Sequence, residues 1–341
     1  MAQLEVKDLS TTFDVEAGTV TAVDKVSFKL EKGKTLGIVG ESGSGKSVTS
    51  LSIMRLLPIP MGKSTGQIIF EGQDILGLPV GDMLNIRGRK ISMIFQEPMT
   101  ALNPVHTIGM QLMETFQIHF PKMTKEERFN KSLEMLTKVG IPAPDKRIHE
   151  FPHQLSGGMR QRVVIAIALS CEPDILIADE PTTALDVTIQ AQILDLMRDL
   201  QKKNGMSILF ITHDLGVVAE MCDDVVVMYA GRVVERANVY DLFAKPRHPY
   251  THALLESIPR LGCERKSSMQ TIEGMVPSLS ELPDGCRFGP RSTFEHQESA
   301  YKTRPEMKEI VSGHWIEWCD CCQKGLKKKL EDLGQAYEVE Q

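Results

Sequence analysis

Residues 35–47 read TLGIVGESGSGKS, an apolar strand followed by a glycine-rich loop and a Lys-Ser pair. The loop, residues 40–47, fits the phosphate-binding pattern G-x4-G-K-[ST] at every position. An apolar-striped segment at residues 48–57 is predicted to be helical, and Pro58 and Pro60 are expected to end it. A strand, such a loop and a helix in this order predict an α/β fold that binds phosphate groups.

The residue types in the loop explain how it would hold phosphate. Its glycines let the backbone curl so that N–H groups point inward and form an anion nest, and the following helix adds the positive end of its dipole. Lysine supplies a mobile positive charge, and the last hydroxyl can ligate Mg²⁺. A chance glycine turn is the alternative, and the match to the full eight-residue pattern between a strand and a helix disfavours it. The expected nucleotide contacts are Gly40, Glu41, Ser42, Gly43, Ser44, Gly45, Lys46 and Ser47.

Two acidic residues follow another apolar strand, predicted at residues 175–178. Asp179 ends the strand and Glu180 comes next. Ligands of α/β sheets bind at the carboxyl ends of the strands, so Asp179 is expected to hold Mg²⁺ through water. Glu180 is expected to orient and deprotonate an attacking water. A solvent-facing acidic residue is the alternative, and the upstream phosphate loop favours the functional interpretation.

Two further polar residues also stand at strand ends. His213 follows the predicted strand 207–212 and could donate a hydrogen bond to a γ-phosphate, although a structural histidine is the alternative. Gln96 follows the strand-like residues 91–95 and could contact Mg²⁺ or the attacking water. Each is a weak signal by itself.

A second anion-binding element is predicted at residues 155–159, which read LSGGM and precede an apolar helix at residues 163–171. Ser156, Gly157 and Gly158 at a helix start favour phosphate binding. One chain then carries two phosphate elements but only one complete loop. A dimer would account for both elements, because the second element of one chain would cap the phosphate that is bound by the partner's loop.

The hydrophobic periodicity predicts the remaining elements. The first thirty residues alternate apolar and polar positions, which is typical of half-buried antiparallel strands. Residues 106–150 are predicted to be helical, with a capping box at Thr124 and Glu127. Buried strands then alternate with amphipathic helices, which predicts a parallel sheet covered on both faces.

Prolines punctuate the chain after residue 246 and suggest a change of architecture. We therefore expect a nucleotide-binding domain at residues 1–245, with a helical subdomain at about 100–170. A loop-rich extension is expected at residues 246–322, and an exposed charged tail at residues 323–341.

Composition excludes several classes. The 341 residues include no apolar run near the ~20 that a membrane-spanning helix needs, and the start of the chain lacks a secretory signal pattern. A net charge of −6 gives no electrostatic support to nucleic-acid coating. Seven cysteines, an odd number, argue against a disulfide framework.

These motifs together resemble the nucleotide-binding subunit of an ABC transporter, over roughly residues 1–260. The resemblance implies a P-loop ABC ATPase domain of the α/β class, with a mixed sheet, antiparallel N-terminal strands and a helical subdomain. It implies ATP and Mg²⁺, with Ser47, Gln96 and Asp179 contacting the metal. It implies that Phe13 stacks on adenine and that residues 155–159 are the signature. Asp179 and Glu180 would form the Walker B pair, and Asp186 would belong to the D-loop. Gln96 would be the Q-loop glutamine and His213 the switch histidine.

Finer patterns resemble the oligopeptide and dipeptide importer group. They are ISMIFQEPMTALNP at residues 91–104 and HPYT at residues 248–251. The resemblance implies a D-type ATPase that pairs with a distinct F-type ATPase, two transmembrane permease subunits and an extracellular solute-binding protein. It places this chain on the cytoplasmic face of the cell membrane, held there by its partners, with residues 97–104 as part of the permease contact.

The same group often carries four C-terminal cysteines that hold an iron–sulfur cluster. Cys286 and Cys319 match the outer two positions, whereas Ser292 and Ser299 occupy the middle two. Serine is a poor substitute for a cluster thiolate. Cysteines at 263, 321 and 322 could supply other ligands, but we favour reduced surface thiols over a cluster.

Two alternative functions remain open at this point. A nickel or other small-solute importer would use the same mechanism, because the ATPase does not touch cargo. A soluble ABC-type ATPase acting on nucleic acid or ribosomes is a different class, which the acidic charge balance disfavours.

Overall fold

A computed structural model describes residues 2–16, 18–96, 101–183, 185–258, 272–334 and 337. The chain divides into two compact units. The first unit comprises residues 1–4, 30–35 and 70–211, and the second comprises residues 5–29, 36–69 and 212–341. No helix within the described ranges has both the length and the hydropathy to cross a bilayer.

Twelve strands are assigned in the described residues. They are β1 Ala2–Val15, β2 Gly18–Glu31, β3 Thr35–Val39, β4 Gly62–Phe70, β5 Gln73–Asp74, β6 Ile91–Ile94, β7 Ile175–Asp179, β8 Ser207–Thr212, β9 Asp224–Tyr229, β10 Arg232–Asn238, β11 Glu306–Val311 and β12 His314–Trp318.

Twelve α-helices are assigned in the same ranges, besides short 3-10 turns at Pro152–Gln154 and Gly289–Arg291. They are α1 Lys46–Ile53, α2 Val80–Met83, α3 Ile108–His119, α4 Lys125–Lys138, α5 Pro144–Arg147, α6 Gly157–Leu169, α7 Val187–Asn204, α8 Leu215–Met221, α9 Val239–Ala244, α10 Pro249–Glu256, α11 Glu298–Lys302 and α12 Asp320–Asp332.

The first unit combines a parallel sheet segment with a helical region. Its strands lie in the order β6-β7-β8, all parallel, and every residue of β7 is buried. Helices α3, α4 and α6 pack against one another. The predicted capping box is confirmed, because Glu127 N–H donates to Thr124 Oγ1 and Thr124 N–H donates to Glu127 Oε2. Gly205, in the left-handed conformation, ends α7.

The second unit contains a mixed sheet segment in the order β11-β12-β10-β9-β3. Strand β3 runs parallel to β9, while β9, β10, β12 and β11 pair antiparallel in turn. Strands β1 and β2 are neighbours joined by two residues, a connection that only antiparallel strands allow. The predicted mixed sheet with antiparallel N-terminal strands is confirmed.

Two sequence predictions differ from the structure. Helix α1 ends at Ile53, not at Leu57, because Arg55 adopts a left-handed φ of 52° and Leu56 N–H donates to Leu51 O, which closes the helix before the prolines. The prediction of a loop-rich extension missed the β11–β12 hairpin, which adds to the sheet through β10.

Candidate functional site

The phosphate loop, residues 40–47, is shaped by its glycines. Gly40 has a φ of 150°, and a Cβ there would lie 2.1 Å from the carbonyl oxygen of Met228. Only glycine therefore fits at the first position of the loop. Gly43 has a φ of 79°, but a Cβ there would meet nothing within 4 Å.

Lys46 lies inside the phosphate loop and is 5% exposed. Its Nζ donates to the carbonyl oxygens of Gly40 at 2.7 Å and Glu41 at 2.9 Å. The charge is therefore held over the loop by neutral carbonyl acceptors, and an anion could replace them because an ionised acceptor attracts the ammonium more strongly.

Glu41 ties the phosphate loop to the C-terminal extension, a contact that the sequence analysis missed. Its carboxylate accepts two hydrogen bonds from the Arg291 guanidinium, at 2.6 and 3.2 Å. Its backbone N–H donates to the hydroxyl of fully buried Tyr250 at 3.0 Å. Burial opposes the Arg291 charge, yet the hydrogen bond to Glu41 keeps the pKa of the guanidinium above its ordinary value. Tyr250 belongs to the HPYT pattern, but nothing in the sequence marked Arg291.

In the first unit, the structure brings Gln96 and Glu180 together. Gln96 Nε2 donates to Glu180 Oε2 at 3.1 Å, and Thr183 Oγ1 donates to the same oxygen at 2.9 Å. Asp179 is the buried last residue of β7, one position before Glu180. Glu180 has a left-handed φ of 47° and its N–H donates to Ile211 O, so the backbone turns sharply at this carboxylate.

Gln161, which the sequence analysis did not single out, braces this turn from α6. The side chain is fully buried, and its Nε2 donates to the carbonyl oxygen of Pro181 at 2.5 Å. The signature helix is thereby connected to the residues that follow Glu180.

The signature residues form an exposed helix start. Ser156 caps α6, with its hydroxyl accepting from Met159 N–H at 3.3 Å. Ser156 and Gly157 are exposed, whereas a Cβ on Gly158 would lie 2.7 Å from Ile189. A thirteen-residue helix with such an opening presents unpaired N–H groups to an anion.

The other predicted site residues lie at element ends. Asp186 caps α7, and its Oδ1 accepts from Ile189 N–H at 2.9 Å; the preceding Ala184 lies outside the described residues. His213 directly follows β8 and is exposed. Phe13 lies on β1 and is partly exposed.

Four metal-ligand side chains gather in the C-terminal extension, and we call them the Cys–His cluster: Cys286, His296, Cys319 and Cys322. Their ligand atoms all lie within 4.8 Å of one another. The three cysteines are 1%, 6% and 0% exposed, respectively, so the prediction of surface thiols was wrong for them. Hydrogen bonds from the other two thiols hold the pKa of Cys319 far below its usual range. Cys263 lies outside the described residues.

Comparison with known proteins agrees with this geometry. Residues 23–183 match the family described as ABC transporter, and residues 234–298 match the oligopeptide/dipeptide transporter C-terminal region. The oligopeptide transport ATP-binding protein OppD of Bacillus subtilis is 52% identical over 98% of this chain and 96% of its own length. The dipeptide transport ATP-binding protein DppD of Haemophilus influenzae is 48% identical over 92% of this chain and 94% of its own.

A solved structure is also similar. The ATP-binding cassette MJ0796, a dimer in a post-hydrolysis state bound to ADP and Pi, is 28% identical with a TM-score of 0.62, over 69% of this chain and 98% of that one. The phosphate loop and these matches define the class of protein, which is an ABC ATPase. Within that class, the chain belongs to the ATP-binding subunits of oligopeptide/dipeptide ABC importers. The predicted family, fold class and enzyme class are confirmed.

Proposed function

We propose that this chain binds and hydrolyses ATP to drive uptake of oligopeptides or dipeptides through a membrane permease. The observation that carries the proposal is the glycine-shaped phosphate loop with Lys46 held inside it. The named relatives are oligopeptide and dipeptide transport proteins, which supports a peptide cargo.

The phosphate loop is proposed to bind the triphosphate through inward backbone N–H groups and Lys46. Ser47, Gln96 and Asp179 are proposed to hold Mg²⁺, and their hydroxyl, amide and carboxylate oxygens are the hard donors that this ion prefers. The ion would offset negative charge on the phosphates when bound. Phe13 is proposed to stack on the adenine and His213 to donate to the γ-phosphate.

Glu180 is proposed to act as the general base toward the attacking water. Two donors, from Gln96 and Thr183, converge on its Oε2, so the carboxylate is oriented before any substrate arrives. A base held in this way loses less freedom on reaching the transition state. Gln96 is proposed to help position the same water.

The nucleotide is proposed to be sandwiched between two ATPase subunits. The exposed start of α6, at Ser156 and Gly157, would cap the γ-phosphate held by the partner's phosphate loop, and Asp186 would lie at the seam. An F-type ATPase is proposed as the partner. ATP then favours the closed dimer through its γ-phosphate contacts, and hydrolysis removes them.

Docking to two transmembrane permease subunits is proposed to hold the chain at the cytoplasmic membrane face, with an extracellular solute-binding protein delivering peptide. Exposed apolar side chains in the first unit support such a contact: Val105 is 73%, Met110 51% and Ile118 66% exposed. Residues 97–100 of the predicted contact lie outside the described residues. The division into residues 1–245, 246–322 and 323–341 remains part of the proposal.

Nucleotide binding tests the phosphate loop. Lys46→Ala should raise the Kd of fluorescently labelled ATP by tenfold or more, about 1.4 kcal/mol. Lys32→Ala, at an exposed lysine outside the phosphate loop, is the control for loss of a positive charge and should leave ATP affinity unchanged. Unchanged affinity in Lys46→Ala would show that the phosphate loop is misassigned.

Uptake in cells tests the cargo. A strain lacking this chain should lose uptake of labelled dipeptides and oligopeptides, and the wild-type gene but not Lys46→Ala should restore it. Normal peptide uptake with lost nickel uptake in the deletion strain would contradict the peptide proposal while leaving the ATPase intact.

A further inference from the structure

The Cys–His cluster takes no part in the proposed ATPase reaction, yet its geometry is specific. Cys286 Sγ lies 3.6 Å from Cys322 Sγ and 3.8 Å from His296 Nε2, and His296 Nε2 lies 3.2 Å from Cys322 Sγ. All six distances among the four ligand atoms are within 4.8 Å.

These separations correspond to the edges of one coordination tetrahedron. Zinc binds thiolate sulfur at about 2.3 Å and imidazole nitrogen at about 2.0–2.1 Å, which places ligand sulfurs about 3.8 Å apart and sulfur about 3.6 Å from nitrogen. The three distances among Cys286, His296 and Cys322 lie within a few tenths of an ångström of these values, and those to Cys319 lie within 4.8 Å. A single ion at the centre would therefore need only small side-chain movements.

An iron–sulfur cluster does not fit the same atoms. Each thiolate of a four-iron cluster binds a different iron, so the cluster core holds the ligand sulfurs farther apart than one ion does. Cys286 and Cys322 are too close for that. Ser299, one of the two serines that stand where the importer group has cluster-binding cysteines, is exposed on the surface.

The histidine is oriented so that its neutral form would offer a lone pair to a metal. His296 Nδ1 lies 2.8 Å from the carbonyl oxygen of Phe294, which can only accept, so Nδ1 carries the proton. The lone pair of neutral His296 is then on Nε2, which faces the sulfurs. Metal-binding histidines are oriented by such a hydrogen bond from the other ring nitrogen.

Two of the cysteines have chelating spacing at a helix start. Cys319 is the residue before α12 and Cys322 is the third residue of that helix, giving a C-x2-C pair. The positive end of a thirteen-residue helix favours thiolate over thiol.

Close packing fixes the two segments that carry the ligands. A Cβ on Gly325 of α12 would lie 2.2 Å from the ring of Phe294, so the helix and the loop bearing His296 approach at contact distance. Cys286 N–H donates to Ala300 O at 2.8 Å. The ligands are thus held in place before any ion binds.

We propose that the Cys–His cluster is a structural Zn²⁺ site with a Cys3His ligand set. Four protein ligands fill a tetrahedral ion, which leaves no open position for a substrate and favours a structural role. The ion would fasten residues 286–296 to β12 and α12. Arg291, the partner of Glu41 in the phosphate loop, lies within that fastened segment.

Metal analysis of the full chain tests the proposal directly. Protein purified without a metal-affinity tag and dialysed against metal-free buffer should retain one zinc per chain by mass spectrometry. The stripped, reduced chain should bind one Co²⁺ and develop the visible bands of tetrahedral cobalt with thiolate-to-cobalt charge transfer. Zn²⁺ should then displace the cobalt and abolish these bands.

Matched variants assign the ligands. Cys319→Ser and Cys322→Ser should each weaken zinc binding by about 100-fold or more. Losing a residue that hydrogen-bonds to a ligand costs about 10–100-fold, and losing a ligand itself should cost at least as much. Cys321→Ser, between the two ligands in sequence but outside the cluster, should keep one zinc. His296→Cys should also keep the ion and should change the cobalt spectrum. This variant tests the ligand set even if a serine variant misfolds.

Three results would overturn the proposal. The first is a reduced wild-type chain that binds neither zinc nor tetrahedral cobalt. The second is iron with acid-labile sulfide after anaerobic purification. The third is a Cys286–Cys322 disulfide, without metal, in protein isolated in the absence of reductant.

Discussion

The phosphate loop and the Cys–His cluster are two sites in the same unit that are built in opposite ways. The loop is eight consecutive residues, shaped by glycine backbone geometry, with the ligand groups mostly on the main chain. The cluster uses four side chains drawn from a loop and the start of a helix, over residues 286–322. The first site is therefore a local property of the sequence, whereas the second exists only after the extension has folded.

Arg291 connects the two sites. It lies between Cys286 and His296 in sequence, and its guanidinium pairs with Glu41 of the phosphate loop. Its Nε also donates to the carbonyl oxygen of Glu273, and its Nη2 donates to that of Gly274. Interactions that hold residues 286–296 in place should therefore also limit the motion of the phosphate loop.

Removing the metal should give the largest effect on stability. Loss of an ion present at about 1,000 times its Kd lowers the free energy of unfolding by about 4 kcal/mol. The only two tryptophans, Trp315 and Trp318, lie on β12 beside Cys319, so their fluorescence reports on the extension. Urea unfolding of zinc-loaded and chelator-stripped protein should differ by that amount, and Cys321→Ser should behave like the wild type. Superimposable curves would show that the cluster does not depend on an ion.

Glycine substitutions in the phosphate loop should give the next effect. Gly40→Ala places a Cβ against Met228 O in a left-handed backbone, so we expect a loss of about 3 kcal/mol together with loss of ATP binding. Gly43 also has a positive φ, but a Cβ there would meet open space. Gly43→Ala should therefore lower the free energy of unfolding by only about 1 kcal/mol. Chemical denaturation and ATP titration would measure both. Equal costs for the two variants would mean that the close approach at Gly40 is not what shapes the loop.

Breaking the Arg291 link should give a smaller effect than Gly40→Ala. Arg291→Ala leaves the Glu41 carboxylate uncompensated near the bound phosphates, and repulsion should raise the Kd of ATP about tenfold, or about 1.4 kcal/mol. Glu41→Gln in the Arg291→Ala background should restore most of the affinity, because it removes the charge that repels. If the double variant binds as weakly as Arg291→Ala alone, Arg291 acts only by bracing the segment.

Local patterns predicted much of the fold and marked the residues that are proposed to bind ATP. The phosphate loop and the capping box at Thr124 depend on residues that are neighbours in the sequence, so both patterns are visible before the fold is known. The end of α1 was missed because Arg55, not a proline, adopts the left-handed turn.

The C-terminal extension was predicted less well because its contacts are tertiary. Cys319 and Cys322 carried a readable C-x2-C signal. Cys286 and His296, ten residues apart, carried none until the fold placed them beside that pair. The hairpin β11–β12 and the Arg291–Glu41 pair likewise required the folded chain.

Phosphate release by Glu180→Gln, measured beside ATP affinity in the same preparation, tests the central claim most directly. Glutamine keeps the shape of the side chain and an oxygen for the donors from Gln96 and Thr183, but it cannot take a proton from water. We expect ATP affinity to be unchanged and turnover to fall by at least 10²-fold, the scale of a lost general base. Near-normal turnover with normal ATP binding would remove Glu180 from the reaction and contradict the account.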